Sequence, residues 1–179
     1  MSHLSDIEKE KREKLKAVES AGIYPFGEGY HVDSLIKGLK EDFTEGRSVS
    51  IAGRIMAARI HGKSVFYDLR DSSGKIQLYA AKNALGEEKF SFLKLLDIGD
   101  IVGAKGELFK TRTGEETIKL ADIKILSKSL RPLPEKWHGL KNIETRFRQR
   151  YVDLIVNEEV KKIFKTRSAV IKKIRDMLE

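Results

Sequence analysis

The chain has 179 residues, with 35 Lys and Arg against 27 Asp and Glu, four His and no Cys, giving a formal charge of +8 at pH 7. That length accommodates one good core and a second small element, and excludes a large multidomain enzyme. The missing cysteines exclude disulfides, thiolate metal sites and a Cys nucleophile, and the basic balance favours a polyanionic partner without naming one. No apolar run reaches membrane-span length and the charged N-terminus does not suit a secretory signal, so a soluble cytoplasmic protein is expected.

Ser5-Asp6-Ile7-Glu8 fits a capping box and predicts a helix to about Ser20, stopped by Gly22 and kept from resuming by Pro25. Its charges spread around the helix, with Ile7, Leu15 and Val18 as anchors. Two readings stay open: a solvated helix docked by a thin stripe, or one whose lysines touch an RNA backbone. The aromatic turn Ala21-Gly22-Ile23-Tyr24-Pro25-Phe26-Gly27 leads to a short helix expected over 32–40.

Residues 48–60 are β-rich, with Val49, Ile51 and Ile55 on one parity and Gly53 interrupting where a bulge or bend is expected. Alternation over 63–70 and 74–80 sends Val65, Tyr67, Leu69, Ile76 and Leu78 inward. Ser64, Phe66, Asp68, Arg70, Lys75, Gln77 and Tyr79 then face outward. Asp71-Ser72-Ser73-Gly74, with Gly74 free to take a positive φ, pairs the two runs as a hairpin. An exposed aromatic, Phe66, and an exposed amide, Gln77, are thereby expected on adjacent strands of one surface.

A helical stretch over 87–96, with Phe90, Leu93 and Leu96 as its stripe, precedes two further strands over 100–110 and 116–127, joined at Thr111-Arg112-Thr113-Gly114. The fold class is mostly β with helical flanks (α+β). Three strands, a helix and two strands is the order of a five-stranded OB-fold Greek-key barrel, which binds oligonucleotides on strands two and three and on the loops between strands one and two and between four and five. Those loops hold Arg59, His61 and Lys63, then Lys110, Arg112, Glu115 and Glu116.

Leu130-Arg131-Pro132-Leu133-Pro134 cannot be regular helix or sheet and marks a boundary. The organisation expected is an N-terminal helical extension at 1–47, the barrel at 48–129, a linker at 130–142 and a helical part at 143–179. Trp137 either anchors the linker or stacks. From Ile143 the chain reads as helical, with Arg146, Arg148 and Arg150 around Phe147 and Tyr151. Asn157 caps a second helix, with Glu158 and Glu159 at its positive end. That helix carries an apolar stripe of Val160, Ile163, Phe164, Val170, Ile171, Ile174, Met177 and Leu178, interrupted by Arg167. It reaches Glu179 with no stop signal, so the expectation is a chain cut short or a helix that packs in an oligomer.

No catalytic set emerges. His3, His31, His61 and His138 are dispersed without metal-ligand spacing, and there is neither a phosphate loop nor a nucleophile elbow. The visible chemistry is recognition. Phe66 either stacks on an unpaired base or is covered by a neighbouring segment. Gln77 either pairs with a base edge through donor and acceptor or is a solvated polar residue. Together on one face they favour a base-reading site.

The chain resembles the N-terminal anticodon-binding region of bacterial-type class II lysyl-tRNA synthetases. The likeness covers the Ala21-Gly22-Ile23-Tyr24-Pro25 turn, the barrel, the Leu130-Arg131-Pro132-Leu133-Pro134 stretch and His138-Gly139-Leu140. It is equally close at Arg146-Phe147-Arg148-Gln149-Arg150-Tyr151-Val152-Asp153-Leu154. Aspartyl and asparaginyl relatives share the barrel but differ around it. The resemblance implies that the barrel binds tRNA with a lysine anticodon, rich in uridine, and that Arg59, Phe66, Gln77 and Glu115 fall on anticodon-binding positions, Phe66 and Gln77 toward the central uridine. Ala58 stands where some relatives carry a second arginine. Lys63, Lys110 and Arg112 would contact the RNA backbone. The last helix resembles the start of motif one, the opening of the class II catalytic domain. It implies a homodimer in the whole enzyme with Val160, Ile163, Phe164, Ile171 and Ile174 as interface candidates. Lysine activation with ATP and Mg²⁺ would belong to motifs two and three of the whole enzyme, leaving no catalytic residue, metal or cofactor in this fragment. The rival readings are a general single-strand-binding barrel and a synthetase-like paralogue that binds a protein.

Overall fold

Apolar side chains on one parity of five strands need a common interior, and the chain supplies it by curling the strands into a closed barrel. The computed structural model describes residues 5–27, 29–134, 140 and 142–179. The readings made of His3, Trp137 and His138 lie outside these. The strands are β1 (Ser48–His61), β2 (Ser64–Arg70), β3 (Lys75–Ala81), β4 (Ile101–Lys110) and β5 (Glu116–Ser127). They close in the order β1-β2-β3-β5-β4, every pairing antiparallel except β3 with β5. Helix α1 (Asp6–Ser20) and α2 (Ile36–Glu41) precede the barrel, and α3 (Lys82–Leu85) and α4 (Glu87–Leu93) lie between β3 and β4.

The inward parity is as expected: Val65, Tyr67, Leu69, Ile76 and Leu78 are at most 2% exposed. They meet Val49, Ile51 and Ile55 of β1, Val102 and Leu108 of β4, and Ile118 and Ile125 of β5 in one cluster, joined by Phe90 and Leu93. Each such aliphatic side chain contributes about 1.5–3 kcal/mol through burial. Tyr67 donates its hydroxyl to Leu93 O at 2.7 Å, which satisfies the one polar atom that this ring brings into the core.

Strand β1 pairs with β4 through its first half and with β2 through its second, with Arg54 common to both. The irregularity between the two lies between Ile55 and Ala57 rather than at Gly53. Gly53 answers a different need, close approach of backbone, since a Cβ there would sit 2.6 Å from Arg70 O.

Three further expectations are corrected. The hairpin turn does not use a positive φ at Gly74. Asp71 Oδ1 accepts from Ser73 N, Ser73 Oγ and Gly74 N, so an Asx turn sets the bend. Helix α2 begins at Ile36, not Val32, because its cap is not local. Asp71 Oδ2 accepts from Ile36 N at 2.8 Å, while the nearby Asp33 accepts instead from Ser50 N in β1. Ile7 is 54% exposed and does not anchor α1.

Helix α1 carries the capping box, Ser5 Oγ accepting from Glu8 N and Glu8 accepting from Ser5 N. It docks through Val18 and, unexpectedly, through Lys11, whose amine donates to Ile98 O and Ser129 O. Beside it, Lys14 pairs with Asp97 at 2.7 Å, and the buried Lys128 donates to Asp97, Asp100 and Leu95 O within 2.8 Å. Asp100 also accepts from Asp97 N and Ser129 N, so the buried charges are saturated with partners. Burial acts to raise the Asp97 carboxyl. The hydrogen bonds from Lys128 and Lys14 outweigh it and hold the group below the ordinary carboxylate value.

The chain divides into two compact units, Met1–Pro132 and Leu133–Glu179. In the second, α5 (Ile143–Arg148), α6 (Arg150–Val156) and α7 (Glu158–Leu178) are tied by Asp153, which is fully buried. It accepts from Arg146 Nε at 3.0 Å, Asn157 Nδ2 at 2.6 Å and Arg150. Asn157 occupies the N-cap position of α7 as expected, but its side chain makes no capping bond and is turned so that Nδ2 donates to Asp153. The Arg150 guanidinium lies 4.7 Å from the Phe147 ring centre and 5.5 Å from that of Phe164, so a cation shared by two rings links α5 and α7. Val160 is buried, whereas Ile163, Phe164, Ile171 and Ile174 remain exposed on α7.

Two outcomes are expected. Gly53→Ala forces β1 from Arg70 and lowers unfolding stability by about 1–3 kcal/mol in urea titration. For Asp97, whose folded value is depressed, the stabilisation is complete above the unfolded pKa of about 3.9 and is lost as pH falls through the lower folded value. Asp97→Asn therefore flattens the acid limb of stability against pH while weakening the fold at neutral pH.

Candidate nucleic-acid interface

On the outer face of the barrel, opposite parity to the core, the strands carry a row of rings. Phe66 of β2 and Tyr79 of β3 are directly paired across the ladder and lie 5.0 Å apart between centres. His61, the last residue of β1, meets Phe66 edge-on at 6.3 Å, and Phe109 of β4 meets Tyr79 at 5.9 Å. Four rings from four strands thus form a continuous aromatic strip. Aromatic side chains in single-strand binders provide stacking surfaces of this kind.

The strip floors an open cleft of about 550 Å³, lined by Arg59, His61, Phe66, Gln77, Tyr79 and Phe109, and by Thr111, Arg112, Thr113 and Glu115 from the β4–β5 turn. Thr111 Oγ1 accepts from Glu115 N at 3.0 Å, which folds that turn back and holds Glu115 over the cleft. Gln77 Nε2 donates to Glu115 Oε2 at 3.0 Å, and Thr117 Oγ1 donates to Gln77 Oε1 at 3.1 Å. Gln77 is only 7% exposed, so the expectation of an exposed amide is corrected. The parallel pairing of β3 with β5 sets Thr117 directly beside Gln77 and covers it. Phe66 is half-buried among its neighbouring rings rather than isolated on a polar face.

Arg59 lies within β1, opposite Phe66, and its Nη2 pairs with Asp68 Oδ1 at 2.7 Å. Much of its charge is thereby offset at the cleft wall. Arg112 is exposed at the mouth. Lys63 and Lys110 are not among the lining residues: Lys63 stands in the β1–β2 turn, and the Lys110 amine lies 5.2 Å from the centre of the Phe43 ring. The structure brings Arg59, Phe66, Gln77, Arg112 and Glu115 together. It adds Tyr79 and Phe109 as ring neighbours and Thr117 beneath the amide. Tyr79 was legible as an outward strand residue, and Phe109 had the parity opposite to Leu108 as its signal. Nothing local marked Thr117. Among the described residues no group of three or more His, Cys, Asp or Glu side chains is arranged to hold a metal ion, and no helix is long and apolar enough to cross a membrane.

Residues 49–126 match the family model of the tRNA anti-codon OB-fold nucleic acid binding domain. The chain is 52% identical to a lysine–tRNA ligase of Syntrophomonas wolfei over 99% of its own length and 36% of that protein's. It is 50% identical to a lysine–tRNA ligase of a Thermoanaerobacter species over 98% of this chain and 36% of that one. Against one from Clostridium botulinum the identity is 48% over 98% of this chain and 35% of that one. The chain therefore spans about a third of the length of the curated relatives it matches.

Asp68→Asn should release the Arg59 guanidinium toward an RNA phosphate. The expected outcome is tighter binding of a short single-stranded RNA, by about threefold at low ionic strength, with the gain fading as salt is raised, measured by fluorescence anisotropy.

Proposed function

We infer, from the membership of residues 49–126 in the OB-fold nucleic-acid-binding family and the half-identity of nearly the whole chain to lysine–tRNA ligases, that this is the anticodon-binding region of such an enzyme. The observation that carries the reading is the cleft in which a row of four rings meets a buried amide and a carboxylate. Rings accept any base by stacking. A fixed amide and carboxylate add a donor and an acceptor, which is how an unpaired base is chosen by its edge.

In this reading Phe66 stacks on the central base of a uridine-rich anticodon loop, with Tyr79 and Phe109 extending the surface to a neighbouring base. Gln77 and Glu115 read the edge. Arg59 and Arg112 engage phosphates along the cleft, and Lys63 and Lys110 act farther out, as long-range steering charges. The whole enzyme would activate lysine with ATP and Mg²⁺ and transfer it to tRNA in the cytoplasm, and no step of that chemistry is assigned to residues of this chain. The exposed apolar side chains of α7, Ile163, Phe164, Ile171 and Ile174, support a homodimer in which this helix faces a second copy. Val160 is already buried and would contribute indirectly.

Binding of the chain to an anticodon stem-loop with central uridine, beside the same loop with central cytidine, tests the reading at two salt concentrations. Uridine should be preferred by about tenfold, and the preference should survive added salt because base contacts release no counterions. Phe66→Ala should weaken binding by about 1–3 kcal/mol, and Gln77→Ala should abolish the preference. Equal affinity for both loops, falling steeply with salt, would make this a general single-strand binder instead.

A further inference from the structure

The strands that close the barrel also fix a polarity. Gln77 and Thr117 are Cα partners in the parallel β3–β5 pairing, and both are buried. The two ends of a side-chain amide have nearly the same shape, so hydrogen-bond partners alone decide which end points where. Here the partners agree. Thr117 Oγ1 donates to Gln77 Oε1, and Gln77 Nε2 donates to Glu115 Oε2. Reversing the amide would set Oε1 against the Glu115 carboxylate, acceptor against acceptor. Thr117 Oγ1 also lies 3.1 Å from Glu115 O, so its single proton is shared between that backbone carbonyl and Oε1 of Gln77.

An amide has two N–H donors and one carbonyl. With the carbonyl turned to Thr117 and one N–H given to Glu115, Gln77 has a single N–H left for a ligand in the cleft. We propose that Thr117 is a positioning residue for base selection: by committing the Gln77 carbonyl, it leaves the cleft a donor where a base edge arrives. A base with a carbonyl at that edge, such as uracil with O4, is then accepted, and one with an amine there, such as cytosine with N4, meets donor against donor. The inference rests on the anticodon reading above and deepens it. Glu115, an acceptor beside the donor, completes a pattern that suits the N3–H and O4 of uracil.

A threonine that merely supports the barrel would, when replaced, weaken binding of every loop alike. The measurement is therefore a ratio. Dissociation constants of the chain for the central-uridine and central-cytidine stem-loops are compared for wild type, Thr117→Val and Thr117→Ser, with thermal unfolding of each variant as the check on folding. Thr117→Val should lower the uridine-over-cytidine ratio by about fivefold to tenfold, since the Gln77 carbonyl, left without the hydroxyl, can turn toward the cleft and accept from a base amine while Nε2 stays on Glu115. Weaker uridine binding and stronger cytidine binding should both contribute. Thr117→Ser, which keeps the hydroxyl, should stay within about twofold of the wild-type ratio. Should the valine variant fail to fold, Thr117→Ala is read in the same way. A wild-type ratio retained by a variant lacking the hydroxyl overturns the proposal, as does an equal loss of ratio in the serine variant. A wild-type chain that binds both loops equally overturns the anticodon reading, and this inference with it.

Discussion

Closure of the barrel between β3 and β5 is the contact on which the rest depends. Only three residue pairs make it, Gln77 with Thr117, Leu78 with Ile118 and Tyr79 with Lys119. Those pairs do two kinds of work on the two faces. Leu78 and Ile118 are fully buried and complete the core. Gln77, one residue away on the opposite parity, lines the cleft, with Thr117 buried beneath its amide. Because successive side chains on a strand point to opposite sides, a single register fixes both at once. A slip of one residue along this short pairing would empty the core and dismantle the cleft together.

The helices depend on the barrel through polar contacts more than through apolar ones. Helix α1 offers few apolar side chains inward and is held by Lys11, Lys14, Lys128, Asp97 and Asp100. Helix α2, six residues long, could not stand alone in water, and Asp71 from the β2–β3 turn supplies its cap. The same aspartate shapes that turn. In the second unit Asp153 has the equivalent role, drawing two arginines and an asparagine to the junction of three helices. Short helices that cannot stabilise themselves by length are here fixed by a carboxylate reaching several backbone or side-chain donors.

Much of this was legible in the sequence, and the boundary of legibility is physical. Period-two alternation marked β2 and β3, and the capping box marked α1, because both are local patterns. The order of elements along the chain, three strands, a helix and two strands, pointed to the five-stranded barrel. Parity also placed Phe66 and Gln77 on one face, but it reports direction and not cover. Gln77 is buried because Thr117, 40 residues later, lies beside it, and no local pattern carries that information. The start of α2 lies at Ile36 rather than at 32 for the same reason, since Asp33 is used on β1 and the group that caps the helix, Asp71, comes from 35 residues downstream. Asn157 does stand at the cap of α7, yet its side chain is oriented by Asp153 one turn earlier and makes no capping bond. Each error is a case in which a partner distant in sequence, or a stronger one nearby, outbid the local preference.

The pairing of β3 with β5 has a consequence for the order of assembly. Hairpins such as β1–β2, β2–β3 and β4–β5 join neighbours in sequence and close short loops, whereas the β3–β5 contact, like the β1–β4 pairing, must bring together segments 40 or more residues apart, in the former case with α3, α4 and β4 between them. Loop-closure entropy places such contacts late in folding. Gln77, Thr117 and Glu115 therefore come into register only when the barrel is complete. On the proposed reading of the cleft, a nascent or partly opened chain would present rings and positive charge to RNA before it could choose among bases, and discrimination would arrive last, with the native state itself.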